Sequence, residues 1–463
     1  MPITGEDGNP FAAQIQAGYQ AAAGASAQAN GGSPSLVAYD PSNGTDPTVS
    51  STQVGYTQLT DANIGDGTVV LPNNISLVDD TADQPVSLSG GSANQVIRGS
   101  YASLTVYAGT GNGVMLADGT YNPNSHSSMP LTDNNFVAPS VGGGSWVVSV
   151  GNGDNMINAA SGNDSIATGT GDNAIYLGSG ADQVASGGQD TILGGLGAAT
   201  IAATGNAAVF AGQGSMNFAN GAGTSTVIGG TGSLAVTGGS GKLTLFGGTG
   251  NTLAFGGSKG GNIFAAGQGN ATLVGGGDGN LLVGNAGTDL IVDGGGQNNT
   301  AFAGHGQNVI FGGPTSDMIV GGSGYDLILD GNGSEQVYAG SGVSTIFGGS
   351  GSDLTFAGKG NTTLIEGSGA STVFGGSGSG VFFGGTGTDL YEFANGSAGG
   401  NDIIYGFKAG TDHIALAGYS ANQVAAAMSQ AATGSGGSTV FSLGDGTQVT
   451  VQGVSGLSHS AFV

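Results

Sequence analysis

Carboxylate side chains recur at a fixed interval along much of this chain. Asp164 and Asp182 are 18 residues apart, and the same interval separates Asp317, Glu335 and Asp353. Each of them follows a glycine-rich stretch that is typical of a tight turn, where backbone carbonyl oxygens are also available. Carboxylates and carbonyls are the ligands that calcium prefers, in a flexible shell of about six to eight oxygens. The spacing therefore predicts calcium sites between turns that lie one coil apart.

The interval extends to further residues, some of them asparagines. Asp289 and Asn308 are 19 residues apart and Asn173 and Asp190 are 17 apart, offsets that irregular repeats account for. Asp389, in the last turn, has only a serine one coil earlier. The complete set of predicted metal ligands is Asp164, Asn173, Asp182, Asp190, Asp289, Asn308, Asp317, Asp326, Glu335, Asp353 and Asp389.

These ligands belong to a nine-residue unit that is repeated 27 times between Val150 and Glu392. Glycine fills the fourth position in 25 repeats, and a large apolar residue fills the eighth in 24. So short a unit cannot bury its own apolar face, so it must stack on its neighbours in a solenoid. We interpret the first six positions as a turn that ends in the ligand, and the last three as a strand. Two repeats then make one coil.

Composition narrows the possible functions. The net charge is −25 with five basic residues, which argues against nucleic-acid binding because phosphate recognition needs clustered Lys and Arg. There are 26 Asp but four Glu, an excess that favours ligand loops for a hard cation over the alternative of a solvated acidic surface. There is no cysteine, so neither disulfides nor thiolate metal sites contribute.

No apolar run approaches the roughly 20 residues of a transmembrane helix. The first residues, MPITGEDGNPFAAQ, lack the basic and apolar regions of a cleavable signal peptide. We therefore expect either a cytoplasmic protein or one whose export signal lies elsewhere in the chain.

The pattern predicts an all-β protein, a right-handed parallel β-roll or β-solenoid with a module at each end. Strand-like segments such as TVVLP and SLTVYA precede the repeats without sharing their period. After the repeats we expect strands at Asp402–Phe407 and His413–Leu416, a short helix near Ala421–Ala432 and a hairpin that turns at Asp445-Gly446. The predicted domains are a flexible or short helical arm (1–35), a β-rich N-terminal module (36–149), the solenoid (150–393) and a C-terminal cap (394–463).

The middle of the array lacks acidic residues. From Thr191 to Gly277 there is no Asp or Glu, and the sixth position holds Ala, Met, Ser, Leu, Thr or Asn. Carboxylate cages cannot form there, so backbone ladders and core packing must hold these coils. We predict a metal-poor centre between two metal-binding stretches.

The repeats GGSGYDLIL at Gly321 and GGSGSDLTF at Gly348 resemble the GGxGxDxUx nonapeptides of RTX (repeats-in-toxin) calcium-binding proteins, which fold into a parallel β-roll. NDIIYGFKAGTDHIAL (401–416) is similar to the segment that closes many RTX arrays. The tail that ends in Ala461, Phe462 and Val463 resembles their uncleaved C-terminal secretion signal. The resemblance implies Ca²⁺ at sixth-position aspartates and turn carbonyls. It also implies export by type I secretion machinery, to the exterior or surface of a Gram-negative bacterium.

Enzyme signatures are weak. The histidines, His126, His305, His413 and His459, are scattered, and no HExxH motif is present. GGSKG (256–260) fits GxSxG formally, but so glycine-rich an array produces such matches by chance and no strand-to-helix elbow is apparent. We therefore expect no enzymatic activity.

The ninth position carries a second signal. Eighth-position residues such as Ile157, Ile166, Ile192, Val209, Leu282, Ile310 and Ile328 should face the interior, and ninth-position residues should face outward. Yet many of the latter are aromatic: Tyr176, Phe210, Phe246, Phe255, Phe302, Phe311, Tyr338, Phe347, Phe356, Phe374 and Phe383. Extended apolar surfaces usually mark interaction sites, so we expect self-association; isolated aromatics tolerated on a sheet surface are the alternative.

We predict a secreted, calcium-binding, non-enzymatic structural protein that self-associates into a surface layer, filament or matrix. The principal alternative is a secreted adhesin or toxin-like effector that binds a cell surface or glycan. An ice- or surface-active solenoid is less favoured because the seventh-position threonines form no unbroken row. An enzyme would need a site within residues 36–149.

Overall fold

The structure is a computed structural model of the 463-residue chain. It describes residues 35–43, 53–59, 63–65, 68–80, 82, 85–90, 92, 94–99, 104–117, 134–137, 143–434 and 436–463. The arm predicted over residues 1–35 lies, apart from Ser35, outside the described residues. The chain divides into two compact units between Ala235 and Val236.

Unit 1 contains two parallel sheets whose strands alternate along the chain. A short 3₁₀ turn, Pro41–Asn43, follows its first strand. The first sheet comprises β1 (Ser35–Ala38), β2 (Gln53–Leu59), β4 (Ile75–Asp80), β6 (Gln95–Arg98), β8 (Gly113–Ala117), β10 (Trp146–Val150), β12 (Ser165–Ala167), β14 (Asp182–Ser186), β16 (Ala199–Ala203) and β18 (Met216–Asn220). The second comprises β3 (Thr68–Val70), β5 (Val86–Ser89), β7 (Leu104–Tyr107), β9 (Asn135–Val137), β11 (Met156–Ala159), β13 (Ala174–Leu177), β15 (Gln189–Leu193), β17 (Asn206–Phe210) and β19 (Ser225–Ile228).

Unit 2 repeats this arrangement, and β20 (Leu234–Thr237) crosses the boundary between the units. Its first sheet includes β22 (Thr252–Phe255), β24 (Ala271–Val274), β26 (Leu290–Val292), β28 (Gln307–Phe311), β30 (Tyr325–Leu329), β32 (Val343–Phe347), β34 (Thr362–Ile365), β36 (Gly380–Phe383) and β38 (Asn401–Tyr405). Its second comprises β21 (Leu243–Phe246), β23 (Ile263–Ala265), β25 (Leu281–Val283), β27 (Thr300–Phe302), β29 (Met318–Val320), β31 (Gln336–Tyr338), β33 (Leu354–Phe356), β35 (Thr372–Phe374), β37 (Leu390–Ala394) and β39 (His413–Ala417).

Strand register shows that two repeats make one coil. Tyr325 pairs with Val343, 18 residues later, and the intervening β31 pairs within the other sheet. Where repeats are irregular the step changes by one residue, as between Leu290 and Val309. The two units together contain about 17 such turns, with almost no helix. The predicted parallel β-solenoid is confirmed.

In the region predicted as an N-terminal module, the described strands pair as those of the later coils do. In β1 and β2, Ser35 pairs in parallel with Gln53, again 18 residues later. The parallel pairing continues through β8 and β10, where Gly113 pairs with Trp146 across a longer connection. Parallel pairing of β10 with both β8 and β12 is thus continuous across residue 149, and the predicted division into modules stays a prediction. A solenoid coil requires only two strands and two turns, and the nonapeptide is one way to encode them.

Eighth-position side chains fill the interior between the two sheets, as predicted. Ile157, Ile166, Ile192, Ile310 and Ile328 are all fully buried. Successive strand residues point to opposite faces, so the ninth position faces outward. Phe255 and Phe347 are accordingly exposed by 42% and 41%.

Turn glycines are required mainly by the close approach of neighbouring turns. A Cβ on Gly351 would lie 1.4 Å from the carbonyl oxygen of Gly333, one coil earlier. Gly369 has the same relation to Gly351, at 1.5 Å. Left-handed backbone angles occur at some of the turn glycines, such as Gly331 with φ of 111°. At Gly351 the requirement is space for the neighbouring carbonyl.

Residues 394–463 close unit 2. β38 and β39 continue the two sheets, and helix α1 (Ala421–Ser429) begins with a capping box between Ser420 and Gln423. The remaining strands are β40 (Ala432–Thr433), β41 (Thr439–Ser442) and β42 (Gln448–Val451), followed by a 3₁₀ turn at His459–Ala461. β41 and β42 are antiparallel, and β42 pairs with β38. Among the described residues, no helix has the length and apolarity needed to span a bilayer.

The stacking of turn glycines can be tested by adding one methyl group. Gly351→Ala places a Cβ against the Gly333 carbonyl, so we expect a loss of about 1–3 kcal/mol in the free energy of unfolding. Gly444→Ala is the control, because its nearest neighbour is a flexible glutamine side chain at 3.4 Å. Thermal or denaturant unfolding measures both; equal stability of the two variants would contradict the close-stacking explanation.

Candidate metal centre

All eleven predicted ligands are buried, which excludes a solvated acidic surface as the explanation for them. Their exposed fractions run from 1% to 6%. The turn that precedes each strand directs the sixth-position side chain inward, along the edge between the two sheets. There it accepts a hydrogen bond from the backbone N–H of the sixth-position residue one coil earlier. Asp182 Oδ1 accepts from Asp164 N at 3.0 Å, and Asp164 Oδ1 accepts from Trp146 N at 2.7 Å.

Sixth-position side chains one coil apart form a ladder, and where the ladder contains asparagine, its members hydrogen-bond to each other. In unit 1, the Asn155 amide donates to Asn173 Oδ1 at 2.7 Å, and the Asn173 amide donates to Asp190 Oδ1 at 2.6 Å. In unit 2, the Asn262 amide donates to Asn280 Oδ1 at 2.9 Å. An amide carries both donors and acceptors, so a stack of amides needs no cation. Within the acid-free stretch, this arrangement holds the turn at Asn262.

Where two sixth-position carboxylates lie one coil apart, their oxygens face each other. A carboxylate only accepts hydrogen bonds, so its neighbour one coil away cannot supply a donor from the side chain. At Asp164 and Asp182 this leaves Asp164 Oδ2 without a hydrogen-bond partner. Burial, with Asp182 as a further cause, raises the pKa of Asp164 to about 7.

Unit 2 concentrates carboxylates on one edge. We call the turns from the first sheet to the second, from residue 293 onward, the acidic edge; it comprises residues 293–299, 312–317, 330–335, 348–353, 366–371, 384–389 and 406–412. Its buried carboxylates are Asp293, Asp317, Asp330, Glu335, Asp353, Glu366, Asp389 and Asp412. The predicted series of Asp317, Glu335 and Asp353 is thus brought together on this edge.

One cluster on the acidic edge has the spacing of a metal site. One carboxylate oxygen from each of Asp330, Glu335 and Asp353 lies within 4.8 Å of the others. Two oxygens that bind one calcium at about 2.4 Å can be no more than about 4.8 Å apart, so the three can share an ion. Asp353 also accepts a hydrogen bond from Glu335 N, at 3.3 Å, which fixes its orientation.

The cluster lacks any compensating positive charge. Both oxygens of Asp330 and both of Glu335 are without a hydrogen-bond donor. Among the described residues, no basic side chain forms an ion pair with them, and the Lys408 ammonium, farther along this edge, donates to the carbonyl of Gly385 instead. Desolvation, followed by the repulsion between neighbouring carboxylates, raises the pKa of Asp330 to about 8 and that of Glu335 to about 9.

These residues fit calcium. Burying an ionised carboxylate without a partner is very costly, so the group must either keep a proton or bind a cation. A divalent ion at Asp330, Glu335 and Asp353 would neutralise most of the charge and occupy the oxygens that lack donors. Its chemical contribution is electrostatic: it would join adjacent turns that otherwise repel each other.

On the other edge of unit 2, formed by the turns from the second sheet to the first, the predicted carboxylate ligands have hydrogen-bond donors. Asp289 accepts hydrogen bonds from Ala271 N and Asn285 N, at 2.8 and 3.0 Å. Asp326 accepts from the Asn308 amide and from Gly322 N, both at 2.9 Å. The predicted pairs around Asn308 are therefore brought together, but both carboxylates already have donors on each oxygen. Metal binding by Asp289, Asn308 and Asp326 stays a prediction.

Asp389 has neighbours that its spacing did not reveal. Its Oδ1 accepts from Ser371 N at 3.2 Å, and its own N–H donates to Asp412 Oδ1 at 3.1 Å. The nearby carboxyl of Glu366 has its pKa raised to about 9, first by desolvation and then by Asp389. The carboxylate partners of Asp389 therefore come from the first position of one repeat and from the closing segment.

Sequence reasoning missed six of the buried acids among the described residues: Asp80, Asp293, Asp330, Glu366, Asp402 and Asp412. Asp293, Asp330 and Glu366 occupy the first position of a repeat, where unit 2 otherwise has glycine or alanine. An acid in place of glycine or alanine could have been recognised in the sequence as a further candidate ligand. Asp402 and Asp412 lie beyond the last repeat, where the period no longer indicates their place.

Comparison with known proteins agrees with this distribution. Three stretches, residues 149–184, 293–328 and 330–364, match the family model of the RTX calcium-binding nonapeptide repeat. The chain thus contains calcium-binding repeats of the RTX type, a kind typical of secreted bacterial proteins, and the prediction of Ca²⁺ is confirmed. No curated protein matches the chain. The matched stretches contain the carboxylates from Asp293 to Asp353 on the acidic edge, whereas Glu366, Asp389 and Asp412 and the neutral ladder around Asn262 and Asn280 lie outside them.

Removing calcium should loosen the carboxylate-rich turns first. In chelator, we expect faster amide hydrogen exchange in peptides from residues 159–190 and 284–353 than in calcium, because unscreened carboxylates repel across the turns. Peptides from residues 256–280, which carry the asparagine ladder, serve as the internal control and should change little. Uniform acceleration across all of these peptides would refute the distinction.

Without calcium, stability should fall as pH rises. Glu335 and Glu366 have pKa values near 9 in the folded state against an ordinary value of 4.5, so the folded protein binds their protons more tightly. Their contribution is complete at low pH and is lost as pH rises towards about 9. Calorimetry in chelator should show Tm decreasing from about pH 5 to about pH 9. Saturating calcium should remove most of this decrease, and a Tm that rises with pH in chelator would contradict the assignment.

Proposed function

We propose that this chain is a secreted, non-enzymatic structural protein that orders when it meets external calcium and then self-associates. The observation that carries the proposal is the row of eight buried carboxylates on the acidic edge. Three of them, Asp330, Glu335 and Asp353, are close enough to share one ion. An edge of this kind is stable only when cations or protons neutralise it.

Calcium binding would supply folding free energy. A ligand that binds only the folded state stabilises it by RT ln(1 + [L]/Kd), which is about 2.7 kcal/mol per site at one hundred times Kd. Cytosolic calcium is too low to fill such sites, whereas external calcium is not. We therefore propose export of the chain before its acidic turns close, by type I secretion, to the exterior or surface of a Gram-negative bacterium.

Two rows of ninth-position side chains support self-association. On the first sheet of unit 2, strand pairing aligns Phe311, Leu329, Phe347, Ile365, Phe383 and Tyr405 in one row. Phe347 and Phe383 are 41% and 38% exposed. On the second sheet, the rings of Tyr338, Phe356 and Phe374 stack with centroids 4.5 and 4.6 Å apart.

The rows are flat, apolar and repeated at the coil interval, so a second copy of the same chain offers a surface with the same period. Stacked aromatic rings bury a large apolar area without losing much side-chain entropy, because they already restrain each other. We propose that these rows join copies into a layer, filament or matrix. An adhesin would instead use single molecules to bind a cell surface or glycan.

Self-association should require the first-sheet row. The double variant Phe347→Ser/Phe383→Ser removes two exposed rings, and we expect calcium-loaded protein to lose ordered assemblies in negative-stain images and to scatter light as a monomer. Leu196→Ser is the control, because Leu196 is 65% exposed but lies in a turn of unit 1 outside the rows. Circular dichroism with calcium checks that all three proteins fold alike.

Wild-type protein that stays monomeric in millimolar calcium would refute assembly, and binding of those monomers to glycans or cells would favour the adhesin alternative. Loss of assembly in the Leu196→Ser control alone would also contradict the role of the rows.

A further inference from the structure

On the acidic edge, an acid at the first position of a repeat recurs with a second acid 23 or 24 residues later in the sequence. Asp293 is followed by Asp317 after 24 residues, Asp330 by Asp353 after 23, and Glu366 by Asp389 after 23. In each case the first residue begins one turn and the second ends the next turn of the same edge. We propose that these pairs are three separate divalent-cation centres, each spanning two adjacent turns through the first-position carboxylate.

The first centre has a gap of defined shape. A Cβ on Gly313 would lie 2.6 Å from Asp293 Oδ2 and 3.0 Å from Asp317 Oδ2. The two carboxylates therefore face each other across a space that exists because residue 313 has no side chain. The amide of Asn299, at the end of the same turn, donates to the carbonyl of Gly296 at 2.8 Å and also lies beside the Asp293 carboxylate, whose oxygens make no hydrogen bond of normal geometry.

The second centre is the cluster of Asp330, Glu335 and Asp353. Glu335 belongs to it because its side chain is one methylene longer than the usual aspartate. Both of its oxygens lack a donor, and one lies with oxygens of Asp330 and Asp353 within 4.8 Å. Three carboxylates from two turns favour calcium over magnesium, since calcium accepts irregular carboxylate geometry.

The third centre adds a neutral oxygen. Tyr391 is fully buried, and its hydroxyl makes no hydrogen bond of normal geometry although it lies close enough to the Glu366 and Asp389 carboxylates to interact with them. A Cβ on Gly384 would lie 3.0 Å from that hydroxyl, so the phenol reaches from the core into the turn. A buried hydroxyl without a partner is rarely left so, and here it points to a ligand between Glu366 and Asp389.

The first-position acids differ from other buried aspartates in what their oxygens contact. Both oxygens of Asp293, Asp330 and Glu366 lack donors, and the three residues are 3%, 1% and 8% exposed. Asp289 and Asp326, on the other edge, accept N–H hydrogen bonds on both oxygens. The Asp326 carboxylate is thus satisfied by backbone and amide donors, whereas the Asp330 carboxylate has no donor and lies beside the carboxylates of Glu335 and Asp353.

This inference rests on the proposed calcium-dependent function, and counting bound calcium in the full chain tests it. Metal analysis after equilibrium dialysis should show one Ca²⁺ fewer in each of Asp293→Asn, Asp330→Asn and Glu366→Gln, and three fewer in the triple variant. Asp278→Asn is the control and should lose none, because Asp278 is an exposed aspartate in a turn of unit 2 that precedes the acidic edge. The substitutions preserve volume and remove repulsion, so the variants should fold, which circular dichroism verifies.

Gly313→Ala provides a second test without changing any charge. Its methyl group occupies the gap between Asp293 and Asp317, so calcium binding should fall by one ion while the other two centres stay filled. An unchanged calcium count in the triple variant and in Gly313→Ala would overturn the three centres and leave calcium-dependent folding standing. A wild-type chain that binds no calcium would overturn both.

Discussion

Stacking of near-identical turns at the interval of one coil is the constraint on which the rest of the structure depends. It places each side chain beside the residue at the same position one coil away, about a strand spacing apart. Apolar residues at the eighth position gain from this arrangement, because the same interior is filled again at every coil. Buried polar residues at the sixth position are stabilised only if each side chain finds a hydrogen-bond donor or acceptor in the residue one coil away.

Asparagine and aspartate meet that condition differently. The Asn262 amide donates to Asn280 and the Asn155 amide donates to Asn173, so each residue satisfies the next. An aspartate accepts the backbone N–H of the preceding coil and then has one oxygen left over. In a stack of aspartates the remaining oxygens repel, so a cation or a proton is needed between them. The same turn geometry therefore produces either a metal-independent or a metal-dependent coil.

Much of the fold could be predicted from the repeat, because a nine-residue period with one large apolar position admits few structures. The inward eighth position, the two-repeat coil and the 18-residue separation of ligands followed from it. The coils before residue 150 could not be predicted in this way. Their strands pair as the others do, for example Gln95 with Gly113, but their turns lack the glycine pattern that marks the period.

The site was predictable only in part. Burial of the sixth position followed from the turn, whereas the identity of its donors depends on which residue lies one coil away. Asp164 meets Asp182, but Asp326 meets the amide of Asn308. Asp330 was missed because the first position holds glycine or alanine in most repeats, so it was assigned to the turn backbone. Its importance appears only when Asp353, one turn away, is placed beside it.

The two kinds of ladder in one chain have a consequence for how the protein folds. An amide at each sixth position would satisfy the buried edge without metal, as the turns around Asn280 show. Carboxylates on the acidic edge replace that self-sufficient arrangement with one that is incomplete until cations arrive. We therefore propose that order in this edge depends on the surrounding calcium, while the neutral coils can form without it. A chain built in this way can keep its acidic coils open where calcium is scarce and close them where it is abundant.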